Sequence, residues 1–130
     1  MWRRNFLIFL LALAVLAAFP AAADPARTRS RMLVQALPVA GFKYHEGKAV
    51  WDRMQVGDAL ALVREPDNPY DAKAVRVEWQ GHMLGYVPRR ENAAVAGMLD
   101  RGAPLEARIV RLKKTHLTRE RIWFEVYQEL

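Results

Sequence analysis

The sequence predicts a mostly β protein: a small OB-like or SH3-like antiparallel barrel of about six strands with one inserted helix. Three observations carry that expectation. Short apolar stretches alternate with polar residues at a period of two, as in Val75, Val77 and Trp79 against Arg76 and Glu78. Turn residues interrupt them at close intervals, Gly57-Asp58 and Gln80-Gly81 among them. A single segment has helical spacing, and it falls before the last two strands. A small sheet leaves its edges open unless it closes, which favours a barrel.

The first residues stand outside that domain. Met1-Trp2-Arg3-Arg4-Asn5 is a short positive leader, Phe6 to Phe19 is unbrokenly apolar, and Ala21-Ala22-Ala23 follows Pro20 in an A-x-A pattern. That is the layout of a secretory signal peptide, and the apolar run is too short for a comfortable membrane span. Residues 1–23 are expected to be removed, leaving 24–31 as a flexible basic linker and 32–130 as the folded domain. The mature protein is then exported, to the periplasm or beyond the cell, with no membrane span. Arg3-Arg4-Asn5-Phe6-Leu7 resembles a twin-arginine signal, but the very short leader and strongly apolar run favour the general secretory route. The chain has no cysteine, which suits an oxidising compartment and removes any thiol nucleophile. Losing Arg3 and Arg4 lowers the formal net charge of +6 by two. The remaining mild excess of base is compatible with a polyanion partner without demanding one.

Within the domain, Met32 to Val39 is expected to be a strand, with Pro38 marking an edge or a bulge near its end. Gly41 to Gly47 is a glycine-bracketed loop exposing Lys43, Tyr44 and His45. Val50 to Met54 suits one helical turn or a connector, and Leu60-Ala61-Leu62-Val63 a short buried strand. After the next loop, Ala74 to Trp79 and His82 to Val87 form a hairpin around Gln80-Gly81, and Pro88 ends it. Arg89-Arg90-Glu91-Asn92 lead into the helix, where Ala94, Val95, Met98 and Leu99 share a face and Gly102 closes the end. Leu105, Ala107 and Ile109 alternate until Val110-Arg111-Leu112 breaks phase, which predicts a bulge. Lys113 to Arg121 is a charged turn. Ile122, Phe124 and Val126 form the last strand. Trp79 is in phase with core residues, whereas Trp123 is out of phase and belongs to the outer face.

The most informative stretch is Arg64-Glu65-Pro66-Asp67-Asn68-Pro69-Tyr70-Asp71. Two prolines three residues apart exclude helix and fix an ordered turn. Asp67, Asn68 and Asp71 are turn formers whose side chains satisfy nearby backbone groups, and that alone would explain them. Arg64, Glu65 and Tyr70 exceed what a turn requires, and polar loops between apolar strands are common binding sites.

Val39 to Tyr44, Leu62 to Asp71, Ala74 to Val77 and Leu84 to Pro88 together resemble a HIRAN domain in order and spacing, from about Leu33 to Val126. The Arg-Glu-Pro-x-Asn-Pro-x-Asp core followed by Ala-Val-x-Val is the most specific part. The resemblance implies an OB-like module of the kind joined to DNA-remodelling ATPases and nucleases and also found alone in bacteria. In the best-understood eukaryotic members it captures the free 3′-hydroxyl end of single-stranded DNA. By position, Lys43 and Tyr44 fall where the family contacts phosphate and stacks a base. Asn68, Tyr70 and Asp71 fall where it encloses the terminal nucleotide, Asp71 accepting from the hydroxyl. Tyr86, Arg89 and Arg90 are neighbours of that pocket. His45 replaces a second aromatic hydroxyl of the eukaryotic members, and Asp67 adds a negative charge where asparagine is also used. No cofactor or metal is implied, and no ATPase, RING or nuclease segment is present.

Two further classes remain open at this point. Glu65, Asp67, Asp71 and His82 could hold a divalent ion for phosphodiester hydrolysis. His45, His82 and His116 are too widely spaced for a compact zinc site. The leader favours an exported envelope module, whose barrel groove would bind another polymer or a protein partner.

Overall fold

Alternation in the sequence becomes alternation in burial. Val75, Val77 and Trp79 are buried while Arg76 and Glu78 between them are half-buried on the other face. Ile122, Phe124 and Val126 repeat the pattern against Trp123 and Glu125. The structure is a computed structural model that describes residues 29–115 and 121–130. The expected signal peptide, most of the expected linker and His116 lie outside the described residues. Among the described residues no helix is long and apolar enough to cross a membrane.

The six strands are β1 (Arg31–Pro38), β2 (Ala59–Glu65), β3 (Ala74–Trp79), β4 (His82–Tyr86), β5 (Leu105–Leu112) and β6 (Ile122–Glu129). They form one antiparallel sheet in the order β1-β6-β5-β2-β3-β4. β2 serves both halves: Ala59 and Leu60 pair with β5, and Ala61 to Glu65 pair with β3. Beyond β1 the chain leaves β6 at Val39, whose amide donates to Ile122 O at 2.9 Å. One residue later it reaches the opposite end of the sheet. Ala40 N donates to Tyr86 O at 2.8 Å, and Tyr86 N donates back to Ala40 O at 2.9 Å. That pair of bonds joins the two ends of the strand order and closes the barrel. Farther along β4, Glu46 stands in for a neighbouring strand. Its amide donates to Met83 O at 2.9 Å, and its carboxylate accepts from Met83 N at 2.7 Å.

The connections follow local chemistry. Gln80 and Gly81 both have positive φ, 44° and 80°, as a two-residue hairpin turn requires. Helix α1 (Gly47–Val50) continues into a 3-10 turn over Trp51–Arg53, in the region expected to be a helical turn or connector. Helix α2 (Ala93–Asp100) packs on β2 and β3. Its buried stripe is Asn92, Val95 and Ala96, with Leu99 half-buried, while Ala94, expected on that face, is exposed. The stripe follows the i, i+3, i+4, i+7 spacing from Asn92, which leaves Ala94 outside it.

One other expectation shifts. β2 runs to Glu65, so Arg64 and Glu65 belong to a strand and not to the loop. Their backbones pair with Val75 and Ala74, and the Arg64 guanidinium bonds Ala74 O at 3.0 Å and Asp100 at 2.9 and 3.2 Å. Of the two alternatives that Pro38 implied, the edge holds, because β1 stands at the end of the strand order; the bulge of β1 lies farther back, between Leu33 and Gln35. The phase break in β5 is a bulge between Ile109 and Arg111, as expected. Trp79 is in the core, its indole N–H donating to Asp58 Oδ2 at 3.0 Å.

Closure depends on Gly85. A Cβ there would lie 2.2 Å from Ala40 O and 2.8 Å from Val39 Cγ1, and φ is +153°. Gly85→Ala is therefore expected to lower stability by about 3 kcal/mol, combining backbone strain with weakened closure bonds. Gly97→Ala, on α2, is expected to be neutral or stabilising by up to about 1 kcal/mol. Urea unfolding of both variants checks this, and equal stabilities would contradict the closure argument.

Candidate nucleic-acid interface

The loop after β2 is folded by its own side chains. Asn68 Oδ1 accepts from the amides of Tyr70 at 2.9 Å and Asp71 at 3.2 Å, and Asn68 Nδ2 donates to Glu65 Oε1 at 3.1 Å. Asp71 Oδ1 accepts from Lys73 N at 2.9 Å. The turn-former explanation of Asn68 and Asp71 is thus correct as far as it goes. It does not account for Asp71 Oδ2, which accepts from Asn92 Nδ2 at 2.8 Å. Asn92 precedes α2, where an asparagine normally caps the helix with its side chain. Here it makes no such cap bond; it is 2% exposed and its amide is turned to Asp71.

Glu65 joins loop to barrel. Besides Asn68, its carboxylate accepts from Tyr86 OH at 2.8 Å and Arg76 at 3.3 Å. Burial pushes the Glu65 carboxyl up, but the Asn68 and Tyr86 bonds and the Arg76 charge outweigh it, and the net pKa is lowered. Burial and the Glu65 carboxylate raise that of Tyr86. The Lys73 amide lowers that of Asp71 against the opposing effect of burial, helped by Asn92 and by the charges of Arg89 and Lys73. At neutral pH Asp71 is ionised and can only accept hydrogen bonds.

Other side chains are left free. Tyr70 is 83% exposed and Tyr44 74% exposed, with Lys43 Nζ 4.8 Å from the Tyr44 ring centroid. His45 is half-buried and meets Tyr86 edge-on at 5.8 Å. Between the turn at Phe42–Tyr44 and the loop of 66–73 lies a cavity of about 570 Å³. Tyr44, His45, Asn68 and Tyr70 line it, as do Asp71, Tyr86 and Arg89, over an apolar lining of Ala40, Ala74 and Val87. Lys43 lines an adjoining cavity. The sequence-derived set is therefore brought together. Within it, Asn68 and Tyr86 hold the site in shape, while Lys43, Tyr44, Tyr70 and Arg89 present free groups.

The four residues of the hydrolase reading are not brought together. Glu65 is engaged by Asn68, Tyr86 and Arg76, and exposed Asp67 does not line the cavity. His82 sits at the opposite end of β4 from Tyr86, stacked on Trp79 with Arg53 at 3.3 Å. Among the described residues no three His, Asp or Glu side chains are placed to share an ion. Sequence reasoning missed Asn92 and the linking role of Glu65. Only an N-cap asparagine and a glutamate beside two prolines hinted at them.

The lowered values of Glu65 and Asp71 carry a pH sign. Both bind protons more weakly in the fold than at their ordinary values of 4.5 and 3.8. Stability present above those values is then lost as pH falls through the lower, folded ones. Urea midpoints are expected to drop as pH falls from about 5 to 3. Glu65→Gln, costing about 1 kcal/mol at pH 7, should flatten that drop. An unchanged pH profile in this variant would contradict the role given to Glu65.

The sequence profile of the HIRAN domain matches residues 32–130. The chain is 34% identical over 67 residues to the Fanconi-associated nuclease 1 homolog of Oryza sativa subsp. japonica. It is 38% identical over 63 residues to the Helicase-like transcription factor of Mus musculus. Each match covers 48% of this chain and 6% of the relative's length. A solved protein from Lactobacillus plantarum superposes with a TM-score of 0.67 at 26% identity, over 78% of this chain and 98% of that one. The HIRAN domain of human HLTF superposes with a TM-score of 0.59 at 21% identity, over 75% of this chain and 78% of that one, and shares its fold. With the profile spanning nearly all of the described barrel, the chain belongs to the HIRAN domain family.

Proposed function

We propose that the domain binds nucleic acid by capturing the free 3′-hydroxyl end of single-stranded DNA, with no catalytic activity of its own. One observation carries this reading: an ionised carboxylate, Asp71, is fixed by Lys73 N and Asn92 in a cavity also lined by two exposed tyrosines. Each carboxylate oxygen retains a lone pair, so Asp71 can accept from a terminal hydroxyl. A terminal phosphate would meet like charge there. Tyr44 and Tyr70 offer ring faces to bases, and Lys43 and Arg89 offset phosphate charge. Relatives named as a nuclease and a helicase-like transcription factor support the nucleic-acid class.

The leader of residues 1–23 supports a second reading, an exported module whose groove holds another polymer or an envelope protein. The two readings share the proposed processing after Ala23 and differ in ligand. Mass spectrometry of the exported protein should find a chain beginning at Asp24; a full-length mass in the membrane fraction would contradict processing.

Fluorescence anisotropy with matched oligonucleotides tests the ligand. A strand ending in a 3′-hydroxyl is expected to bind more tightly than the same strand ending in a 3′-phosphate. Asp71→Asn should shrink that preference, and Tyr44→Ala should weaken binding by about 1–3 kcal/mol. Lys43→Ala should lower the salt slope by about 0.7. Equal affinity for both ends, indifferent to Tyr44 and Asp71, would favour the envelope reading.

A further inference from the structure

The proposed end site contains a titratable side chain that hydroxyl capture does not use. His45 follows the 42–44 turn while Asp71 lies in the loop of 66–73, so the two line one cavity from different segments. The His45 backbone is extended, and its amide donates to Phe42 O at 3.3 Å. That holds the half-buried ring edge-on to Tyr86, with Nε2 beside Gly41, another lining residue. Among the described residues, neither ring nitrogen of His45 has a hydrogen-bond or ion-pair partner. Those of His82 face Arg53 and Glu46. An imidazole with both nitrogens unclaimed, at the wall of a cavity, is available to a ligand.

The charges around it are nearly balanced. Of the lining residues, Asp71 and Arg89 are ionised at neutral pH and offset each other. Behind Tyr86, the Glu65 carboxylate lies in the field of His45 and is compensated by Arg76. On the segment of His45 itself, Lys43 lines the adjoining cavity and Glu46 is engaged by Met83 N. Among these groups only an imidazole changes charge near neutrality. Asp71, held below its ordinary value, stays ionised. A proton on His45 therefore turns a cavity without net formal charge into a cationic one and makes both ring nitrogens donors. We infer that His45 selects the strand end the cavity accepts. Neutral, it leaves Asp71 to favour a 3′-hydroxyl; protonated, it pairs with an anionic end and admits strands that terminate in a phosphate. This rests on the end-capture reading and adds to it a second class of ligand and the residue that chooses between the two. By reciprocity, an anionic end draws a proton onto His45.

Competition anisotropy on the mature protein at about pH 8 and about pH 5.5, either side of the imidazole range, tests this. One strand carries a 3′-hydroxyl and its match a 3′-methylphosphate diester, whose single negative charge is the same at both pH values. The preference for the hydroxyl is expected to shrink by about 5-fold or more at the lower pH. His45→Gln, which takes up no proton, should show one preference at both pH values. His45→Lys, a lasting cation, should show the reduced preference at both. Independently of either variant, the His45 ring signals in NMR of the unaltered protein near neutral pH should move toward the protonated form with the charged end, and not with the hydroxyl end. A preference present at the higher pH and unchanged at the lower would overturn this inference alone. So would a preference that shrinks equally in His45→Gln, or ring signals indifferent to the charge of the end. No preference at the higher pH would overturn both this inference and the end-capture reading.

Discussion

Two backbone hydrogen bonds between Ala40 and Tyr86 join the ends of the strand order, and the proposed site is built on that seam. The bonds are individually modest, about 1 kcal/mol each. Their importance is positional. Ala40 leads directly into the turn bearing Lys43 and Tyr44, and Tyr86 leads through Val87 toward Arg89. Val87 N bonds Val75 O at 2.9 Å, which ties the exit from β4 to the strand that follows the loop of 66–73. Three segments distant in sequence thus meet on one side of the closed sheet. Gly85 permits the approach by having no side chain where Ala40 O must lie.

A second constraint keeps the meeting point in shape. Glu65 receives bonds from the loop through Asn68, from β4 through Tyr86 and from β3 through Arg76. A carboxylate with three donors is stable as an anion in a half-buried place. The polar residues therefore fall into two groups. Glu65, Asn68, Tyr86 and Asn92 bond one another or Asp71 and fix geometry. Tyr44, Tyr70, Lys43 and Arg89 remain at the surface, where ordering them beforehand would serve only a ligand. Rigid support beneath free contact groups lowers the ordering cost of binding.

The strands were legible because one face of each is buried. Val75-Val77-Trp79 and Ile122-Phe124-Val126 alternate cleanly, and the break at Ile109 to Arg111 announced its bulge. The candidate site residues were named from the double-proline loop and the family resemblance, and the structure places them around two adjoining cavities. Closure was legible as a need but not as a place, since Ala40 and Tyr86 meet through backbone atoms that leave no side-chain signature. Glu65 looked like a loop residue because its partners Tyr86 and Arg76 are remote in sequence or across a strand pair. Ala94 and Ala96 are equally apolar, so helix periodicity alone could not choose which of them faces the core.

The central claim is that a terminal 3′-hydroxyl sits at Asp71, between the 42–44 turn and the loop of 66–73. Amide NMR titration with a short 3′-hydroxyl strand tests it most directly. The account predicts that shifts concentrate at Gly41, Tyr44, Tyr70, Asp71 and Lys73, and that the Tyr70 to Lys73 shifts fade when the strand ends in a 3′-phosphate. Shifts confined to another face, or identical for the two ends, would contradict it.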